Sequence, residues 1–192
     1  MARILDTFPD PVYDPQSDKA RIVLGGGCFW CTEGVFRQVP GATNVVSGYT
    51  GGTAATANYK DVCEGDTGHV EVIAVEYDPA KTSLGQILKA FFWLAHDPTQ
   101  VNGQGHDIGT QYRSAIFYAD DTQRDVAAKY IAQLNDARIF DKPIATAVEK
   151  LDVFYPAETY HQNYAALNNT QGYIAGVAQP KIDRTRRLLG VG

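Results

Sequence analysis

The segment from His69 to Tyr77, HVEVIAVEY, restricts the fold more than any other stretch of the sequence. Successive side chains of a strand face opposite sides of a sheet. One side of this segment carries Val70, Val72 and Ala74, and the other carries Glu71, Ile73, Val75 and Tyr77. Because both sides are largely apolar, we predict a strand in the middle of a sheet that is covered on both faces.

The rest of the chain alternates apolar strand patterns with amphipathic helix patterns. We predict further strands at 21–24, 43–49, 111–118 and 144–151, and helices at 32–39, 83–96, 121–135 and 157–167. Ser83 and Gln86 have the spacing of a capping box at the start of one helix. The order β-α-β-β-α-β-α-β predicts an α+β two-layer sandwich of mainly antiparallel strands, with helices on one face, rather than a doubly wound sheet.

Length and composition predict one domain over residues 1–192, since 192 residues with 44% apolar content can form a full core. Residues 1–19 contain Pro9, Pro11 and Pro15 and are expected to form an irregular leader. Residues 168–192 are expected to form an extended C-terminal tail. The basic residues of this tail, in a chain of net charge −5, indicate a solvated or docking segment rather than a nucleic-acid surface.

Three cysteines are too few, and odd in number, for a secreted disulfide framework. The N-terminal residues contain no apolar signal region, and no segment approaches the roughly 20 apolar residues that span a bilayer. We therefore expect a soluble, cytoplasmic monomer in a reducing environment, with neither nucleic acid nor a membrane as partner.

The sequence GGGCFWC at 25–31 places two cysteines at the junction of a strand and a helix. A thiol at a helix N-terminus is near unpaired N–H groups and the positive end of the helix dipole, which favour the thiolate of Cys28. Cys31 lies one helical turn away, close enough for a disulfide. The alternative is a pair of buried structural cysteines beside the core aromatics Phe29 and Trp30.

Glu71 lies near the start of the largely apolar central strand, between Val70 and Val72. A buried carboxyl keeps its proton near neutral pH, and a neutral acid suits a reaction that generates an oxyanion. The alternative is a strand-end glutamate that reaches solvent.

The segment from His96 to Ser114 has almost no aliphatic side chains. A polar loop of this length inside a compact domain is usually functional or disordered, and its residues can hydrogen-bond locally. Asp107 and Tyr112 are its candidate functional residues. Outside this loop, His161 is expected to be a packed residue and Cys63 an inert thiol.

Four motifs in order resemble one family, the type A peptide methionine sulfoxide reductases. The motifs are GCFW at 27–30, TGHVEV at 67–72, HDPTQVNGQGHDIGTQYRS at 96–114 and YHQNY at 160–164. The resemblance runs from about residue 20 to residue 165. It implies a ferredoxin-like core, an enzyme that reduces the S epimer of methionine sulfoxide, free or in proteins, and a role in repair after oxidative damage.

The resemblance also implies roles for single residues. Cys28 matches the nucleophile, Glu71 the proton donor, Tyr59 and Tyr112 the sulfoxide-binding tyrosines, Asp107 the residue that orients water and substrate, and Phe29 and Trp30 the aromatics that hold the substrate methyl. The family uses no cofactor or metal, and it implies recycling by thioredoxin, with glutathione or glutaredoxin as the alternative reductant.

Cys31 departs from the family pattern. Many members have glycine at this position and carry recycling cysteines in a C-terminal tail, whereas no cysteine follows Cys63 here. A sulfenic acid condenses readily with a thiol, and Cys31 is the thiol nearest to Cys28 in sequence. Cys31 is therefore the candidate resolving cysteine, with Cys63 or an external thiol as alternatives.

Two other functions remain possible from the residues. A thioredoxin-like disulfide oxidoreductase would use the same C-x-x-C pair but would leave the 96–114 loop without a role. A zinc-binding module could use Cys28, Cys31, Cys63 and His69, with a loosely permissible spacing. That module would leave Phe29 and Trp30 without a role.

Overall fold

A six-stranded sheet forms the centre of the computed structural model, which describes residues 8–192. The strands of the sheet are β1 (Arg21–Gly25), β2 (Ala42–Thr50), β3 (Val70–Tyr77), β6 (Ala115–Tyr118), β7 (Ala147–Lys150) and β8 (Tyr155–Pro156). Two short strands, β4 (Gly103–Gln104) and β5 (Asp107–Ile108), form a separate hairpin. The sheet order is β7-β6-β1-β3-β2-β8, with β6 and β7 parallel and the other pairs antiparallel.

Strand β3 lies in the middle of the sheet and pairs with β1 on one side and β2 on the other. Ile73, Val75 and Tyr77 join the main core under the helices. The alternate residues Val70, Val72 and Ala74 join a second cluster on the opposite face, which is covered by the segment at 151–154. The prediction of a central strand covered on both faces is confirmed.

Six α-helices lie within residues 8–192, and with the sheet they make a mixed α/β fold. They are α1 (Phe29–Phe36), α2 (Tyr59–Glu64), α3 (Leu84–Ala90), α4 (Asp121–Asp136), α5 (Tyr164–Leu167) and α6 (Gln179–Leu189). Helix α3 continues into a π-helical turn at Phe91–Ala95. Side chains from α1, α3 and α4 share the main core with β1, β2 and β3.

The C-terminal segment corrects a prediction. Residues 168–192 were expected to be extended, but they contain a π-helical turn at Ile174–Ala178 followed by α6. The residues that this segment buries recur with helical spacing; they are Ile174, Ala178, Ile182 and Thr185. The apolar members of this set pack on α1, and the resulting burial holds the segment in a helix.

Several predicted boundaries also differ. Helix α1 begins at Phe29 rather than at residue 32. Helix α2 lies between two predicted strands, where no helix is predicted, and Asn58 caps it by accepting a hydrogen bond from the N–H of Asp61. The strand predicted at 111–118 begins with a 3₁₀ turn at Thr110–Tyr112. The helix predicted at 157–167 is a 3₁₀ turn at Thr159–His161 followed by the short α5.

Half of the predicted capping box forms. Ser83 Oγ accepts from the N–H of Gln86 at 3.2 Å, but the Gln86 side chain donates to Asp10 instead of returning to Ser83. Asp10 belongs to residues 8–19, which have no regular secondary structure, as predicted for the leader. Residues 1–7 of the predicted leader lie outside the described residues.

The edge of the sheet at β2 is closed partly by a side chain. The amide of Gln162 accepts from the N–H of Ser47 and donates to the Ser47 carbonyl, both at 2.9 Å. It also donates to the carbonyl of Ala157, whose own N–H donates to Ser47. Over residues 8–192, the helices are all too short or too polar to cross a bilayer.

Candidate active site

Cys28 lies at the turn between β1 and α1. Gly27 has a φ of 91°, and a Cβ at this position would meet the Cβ of Gln104 at 2.7 Å, so only glycine fits. Cys28 is the N-cap residue of α1, and its carbonyl accepts from the N–H groups of Cys31 and Thr32. Cys28, a half-buried residue, is therefore held at the helix N-terminus, as the glycine-rich motif predicts.

Glu71 lies directly beneath this turn. Its Oε1 accepts a hydrogen bond of 3.1 Å from the backbone N–H of Phe29, and its side chain is almost fully buried. Burial raises the pKa of Glu71 to about 8, although the Phe29 N–H acts in the opposite direction; the negative charge of Asp107 adds to the rise. The alternative of a solvent-exposed glutamate is excluded, and the carboxyl is mostly neutral at pH 7.

The two tyrosines that match the sulfoxide-binding residues lie near the same carboxyl. Burial, followed by the charges of Glu71, Cys63 and Cys28, raises the pKa of Tyr112. Burial and the neighbouring Cys63 raise the pKa of Tyr59 in the same direction. Both phenols therefore keep their protons near neutral pH and can donate hydrogen bonds.

Helix α2 and the polar loop position these tyrosines. Tyr59 is the first residue of α2, and its N–H donates to the carboxylate of Glu158 at 3.1 Å. Tyr112 ends the 3₁₀ turn of the loop. The neighbouring Gln111 donates from Nε2 to the Cys63 carbonyl in α2, so the loop and the helix are joined beside the site.

The loop at 96–114 is held by its own side chains. Asp97 accepts from the N–H and the hydroxyl of Thr99 and from Gln100. The amide of Gln104 bonds to both the N–H and the carbonyl of Asp97. Local hydrogen bonding of this kind, which the composition predicts, orders the hairpin on which Asp107 lies.

Aromatic rings surround the Cys28 turn. Trp30 stacks on Tyr164, with ring centroids 4.1 Å apart and planes at 9°, and its Nε1–H donates to His161 Nδ1 at 3.0 Å. The rings of Tyr59 and Phe29 also contact His161, at 4.4 Å and 5.1 Å between centroids. Phe29 and His161 are fully buried, so His161 is the packed residue that the sequence predicts.

Cys31 is buried behind the C-terminal segment. Its Sγ lies 3.7 Å from the hydroxyl of Tyr173, and that hydroxyl donates to Asp107 Oδ2 at 2.5 Å. The apolar side of Cys31 contacts a cluster that includes Ile174, Ala178 and Ile182.

The two thiols share their ionisation. The hydrogen bond from Cys28 lowers the pKa of Cys31 to about 7, and the charge of Lys181 and the Tyr173 hydroxyl add to the decrease. Burial raises the pKa of Cys28, and the hydrogen bond with Cys31 and the charge of Glu71 add to the increase. The pair therefore loses its first proton near neutral pH, and the resulting negative charge belongs to the pair rather than to one sulfur. The helix N-terminus that the sequence predicts to favour the Cys28 thiolate is in place, and burial and the charge of Glu71 act against its effect.

The sequence interpretation missed three residues of this site: Glu158, Tyr173 and Lys181. Tyr173 and Lys181 reach it through the fold of the C-terminal segment, which the spacing of buried residues from Ile174 to Thr185 could have revealed. No sequence signal pointed to Glu158, whose carboxylate bonds both the Tyr59 N–H and the Tyr49 hydroxyl.

The geometry does not support a zinc module. His69 accepts from the N–H of Gly52 with Nδ1 and contacts the carbonyl of Thr53 with Nε2, so the backbone engages both ring nitrogens. Across residues 8–192, no cluster of three or more His, Cys, Asp or Glu side chains is arranged to hold a metal ion.

Known proteins resemble this chain over most of its length. Residues 20–189 match the family model of peptide methionine sulfoxide reductase. A peptide methionine sulfoxide reductase MsrA of Chromobacterium violaceum is 53% identical, covering 87% of this chain and 94% of the relative. The MsrA 2 of Synechocystis sp. is 49% identical, with coverages of 94% and 87%.

Solved structures share the fold. Reduced Mxr1 from Saccharomyces cerevisiae has a TM-score of 0.71 and 35% identity, covering 84% of this chain and 93% of that one. Methionine sulfoxide reductase A of Corynebacterium diphtheriae has a TM-score of 0.66 and 33% identity, with coverages of 84% and 82%.

The matches and the fold define an oxidoreductase. The chain belongs to the type A peptide methionine sulfoxide reductases, with the enzyme activity of a peptide-methionine (S)-S-oxide reductase. The predicted family is confirmed, and the alternative that the chain is a thioredoxin-like disulfide oxidoreductase is excluded.

Proposed function

We propose that Cys28 attacks the sulfur of methionine S-sulfoxide while Glu71 delivers a proton to the sulfoxide oxygen. A new bond forms between the two sulfurs, the oxygen passes to Cys28, and methionine leaves with Cys28 oxidised to a sulfenic acid. The observation that carries this proposal is the buried carboxyl of Glu71, hydrogen-bonded to the residue that follows Cys28. This carboxyl is mostly neutral near pH 7 and lies under the turn that carries Cys28.

The surrounding side chains have matching tasks. Tyr59 and Tyr112 donate hydrogen bonds to the developing oxyanion, which their raised pKa values allow. Trp30 and the buried ring of Phe29 hold the substrate methyl, and Asp107 orients the rest of the substrate and water.

Cys28 becomes nucleophilic when the shared proton of the thiol pair moves to Cys31. After the first ionisation the two thiols share one proton, so the form with that proton on Cys31 carries the attacking Cys28 thiolate. The substrate sulfur then receives the electron pair of Cys28.

Cys31 resolves the sulfenic acid in our proposal. Its thiolate attacks the Cys28 sulfur, the S–O bond breaks, and the oxygen leaves as water after protonation. The resulting Cys28–Cys31 disulfide is reduced by thioredoxin, or by glutathione and glutaredoxin, through thiol–disulfide exchange. This cycle needs a pool of reduced thiols and fits the cytoplasmic location expected from the sequence.

The sheet order also supports the finer fold prediction. Strands β6-β1-β3-β2 lie side by side, and α1 and α3 connect them in the order β-α-β-β-α-β. We infer a ferredoxin-like core in a two-layer sandwich on this basis, formed by a monomeric single domain.

The test is single turnover of the resolved S epimer, followed by peptide mass spectrometry. Cys28→Ser should release no methionine. Cys31→Ser should release about one methionine per enzyme, leave a sulfenic acid that dimedone traps, and lose turnover with thioredoxin while keeping turnover with dithiothreitol.

Each result bears on a separate part of the proposal. Release by Cys28→Ser above a tenth of the wild-type level would remove Cys28 as the nucleophile. A Cys28–Cys63 peptide in the oxidised wild type would transfer the resolving role to Cys63, and the absence of any disulfide would transfer it to an external thiol.

A further inference from the structure

Tyr173 lies between a residue of the first reaction step and the thiol of the second. Its hydroxyl donates to Asp107 Oδ2 and also contacts Cys31 Sγ at 3.7 Å. A phenol has one proton and can donate it to one partner at a time. While Asp107 receives this proton, Cys31 can only be the donor in its contact with Tyr173, which requires Cys31 to be a thiol.

We propose that Tyr173 is a positioning residue that sets when Cys31 acts, by donating its hydroxyl proton either to Asp107 or to the Cys31 sulfur. This inference rests on the proposed resolving role of Cys31. While the Tyr173 hydroxyl donates to Asp107, Cys31 stays protonated and Cys28 holds the negative charge needed for attack. When the Tyr173 hydroxyl donates to the Cys31 sulfur instead, this hydrogen bond stabilises the Cys31 thiolate that resolves the sulfenic acid.

The groups that face Cys31 come from five parts of the fold. They are Cys28 at the α1 N-terminus, Glu71 on β3, Asp107 on β5, Tyr173 before α6 and Lys181 within α6. The positive charge of Lys181 favours the Cys31 thiolate in either orientation of the Tyr173 hydroxyl, whereas the negative charge of Asp107 opposes it. Only the hydroxyl of Tyr173 can reverse its contribution by rotation.

The two steps should respond differently to Tyr173→Phe. Attack by Cys28, measured at pH 8, should proceed within about threefold of the wild-type rate, because Asp107 and Glu71 remain in place and at least about half of the thiol pair is ionised in both proteins. Formation of the Cys28–Cys31 disulfide should slow about tenfold at pH 7 and recover as the pH rises, because Cys31 loses one hydrogen bond to its charged form.

A titration separates this inference from the proposed function, because it needs no turnover. Thiolate absorbance near 240 nm is followed against pH in a Cys63→Ser background, which leaves only the Cys28–Cys31 pair. Tyr173→Phe should raise the first midpoint by about one pH unit. Tyr77→Phe is the matched control, since its hydroxyl donates to the Lys19 carbonyl, and it should leave the midpoint unchanged.

Asp107→Asn completes a double-mutant cycle. Loss of the carboxylate removes a negative charge and frees the Tyr173 proton for Cys31, so the midpoint should fall. The fall should be smaller in the Tyr173→Phe background, because only the charge effect remains there. Additive shifts, or an unchanged midpoint in Tyr173→Phe, would overturn the inference even if the enzyme reduces methionine sulfoxide as proposed.

Discussion

Glu71 is the residue whose protonation should be visible in the rate of the first step. The pKa of Glu71 is raised to about 8, whereas the hydrogen bond within the Cys28–Cys31 pair lowers the pKa of Cys31 to about 7. The step needs a neutral carboxyl and one thiolate, so its rate should rise through pH 7 and fall through pH 8.

Replacing Glu71 with glutamine should slow methionine release by about 10²–10⁴-fold, the usual contribution of a general acid. The fall above pH 8 should disappear, while the rise near pH 7 should remain. Rapid-quench single turnover from pH 6 to pH 9 measures both. A glutamine variant with the wild-type rate and profile would show that the carboxyl serves only the structure.

His161 should set the orientation of Trp30. The indole N–H donates to Nδ1, which requires a neutral ring with its proton on Nε2, and burial lowers the pKa of His161 in agreement. His161→Phe removes the acceptor and should raise KM for the sulfoxide about 5- to 10-fold, the value of one hydrogen bond near 1 kcal/mol.

Asparagine at position 161 can place an oxygen near the Nδ1 position, so His161→Asn should recover part of the loss. The rate of Cys28 alkylation by iodoacetamide is the control for the thiol. If alkylation falls as much as turnover does in His161→Phe, the residue supports the Cys28 turn and not the aromatic pocket.

The C-terminal segment acts as one element that covers Cys31. Helix α6 packs closely on α1, because a Cβ added to Gly34 would meet Ile182 Cδ1 at 2.5 Å. Gly34→Leu should therefore destabilise the protein by about 1–3 kcal/mol through overpacking, and should expose Cys31 to alkylating reagents.

Gly176 provides the matched control for this element. It lies in the π-helical turn of the same segment, and a Cβ added there would meet no atom within 4 Å among residues 8–192. Gly176→Leu should leave the alkylation rate of Cys31 unchanged. Urea denaturation and timed alkylation compare the two variants, and equal behaviour would mean that the packing of α6 does not shield Cys31.

The elements that sequence could predict are those with a complete local pattern. Strands β1, β2 and β3 and helix α4 carry their own periodicity, so their predicted bounds lie close to the observed ones. Helix α2 was missed because a cap at Asn58 forms it within a loop rich in glycine and threonine. Helix α6 was missed because its low overall hydropathy conceals the few residues that it buries.

The residues of the candidate site also fall into two groups, those that a local motif indicates and those that only the fold brings together. Cys28 and Glu71 lie within motifs whose local sequence already indicates their chemistry. The helical spacing in the C-terminal segment could have indicated a helix there, but not that Tyr173 and Lys181 contact Cys31, because they reach it only after the chain has folded back across α1. The ionisation of the thiol pair depends on those contacts, so it too was beyond the sequence.

For the whole molecule, the buried carboxyl of Glu71 should couple stability to pH. Its pKa is 4.5 in an exposed chain and about 8 in the fold, so the folded state holds more protons between these values. Its contribution to stability is full below pH 4.5 and is lost as the pH rises through 8.

The free energy of unfolding of the wild type, relative to Glu71→Gln, should therefore fall between pH 5.5 and pH 7.5, by up to about 1.4 kcal/mol per pH unit. Urea titrations of both proteins at the two pH values measure the difference. A difference that does not change with pH would mean that Glu71 is ionised in the folded protein.

The amide of Gln162 has a consequence for how molecules meet one another. The outer edge of β2 is where a strand from a second molecule could add and start intermolecular sheet growth. At Ser47 both backbone groups already have partners, since a side-chain amide offers the same donor and acceptor as a peptide unit. Strand β8 pairs with the next two residues, Gly48 and Tyr49. This stretch of β2 therefore directs its backbone groups to partners in its own chain, which should hinder it from nucleating aggregation.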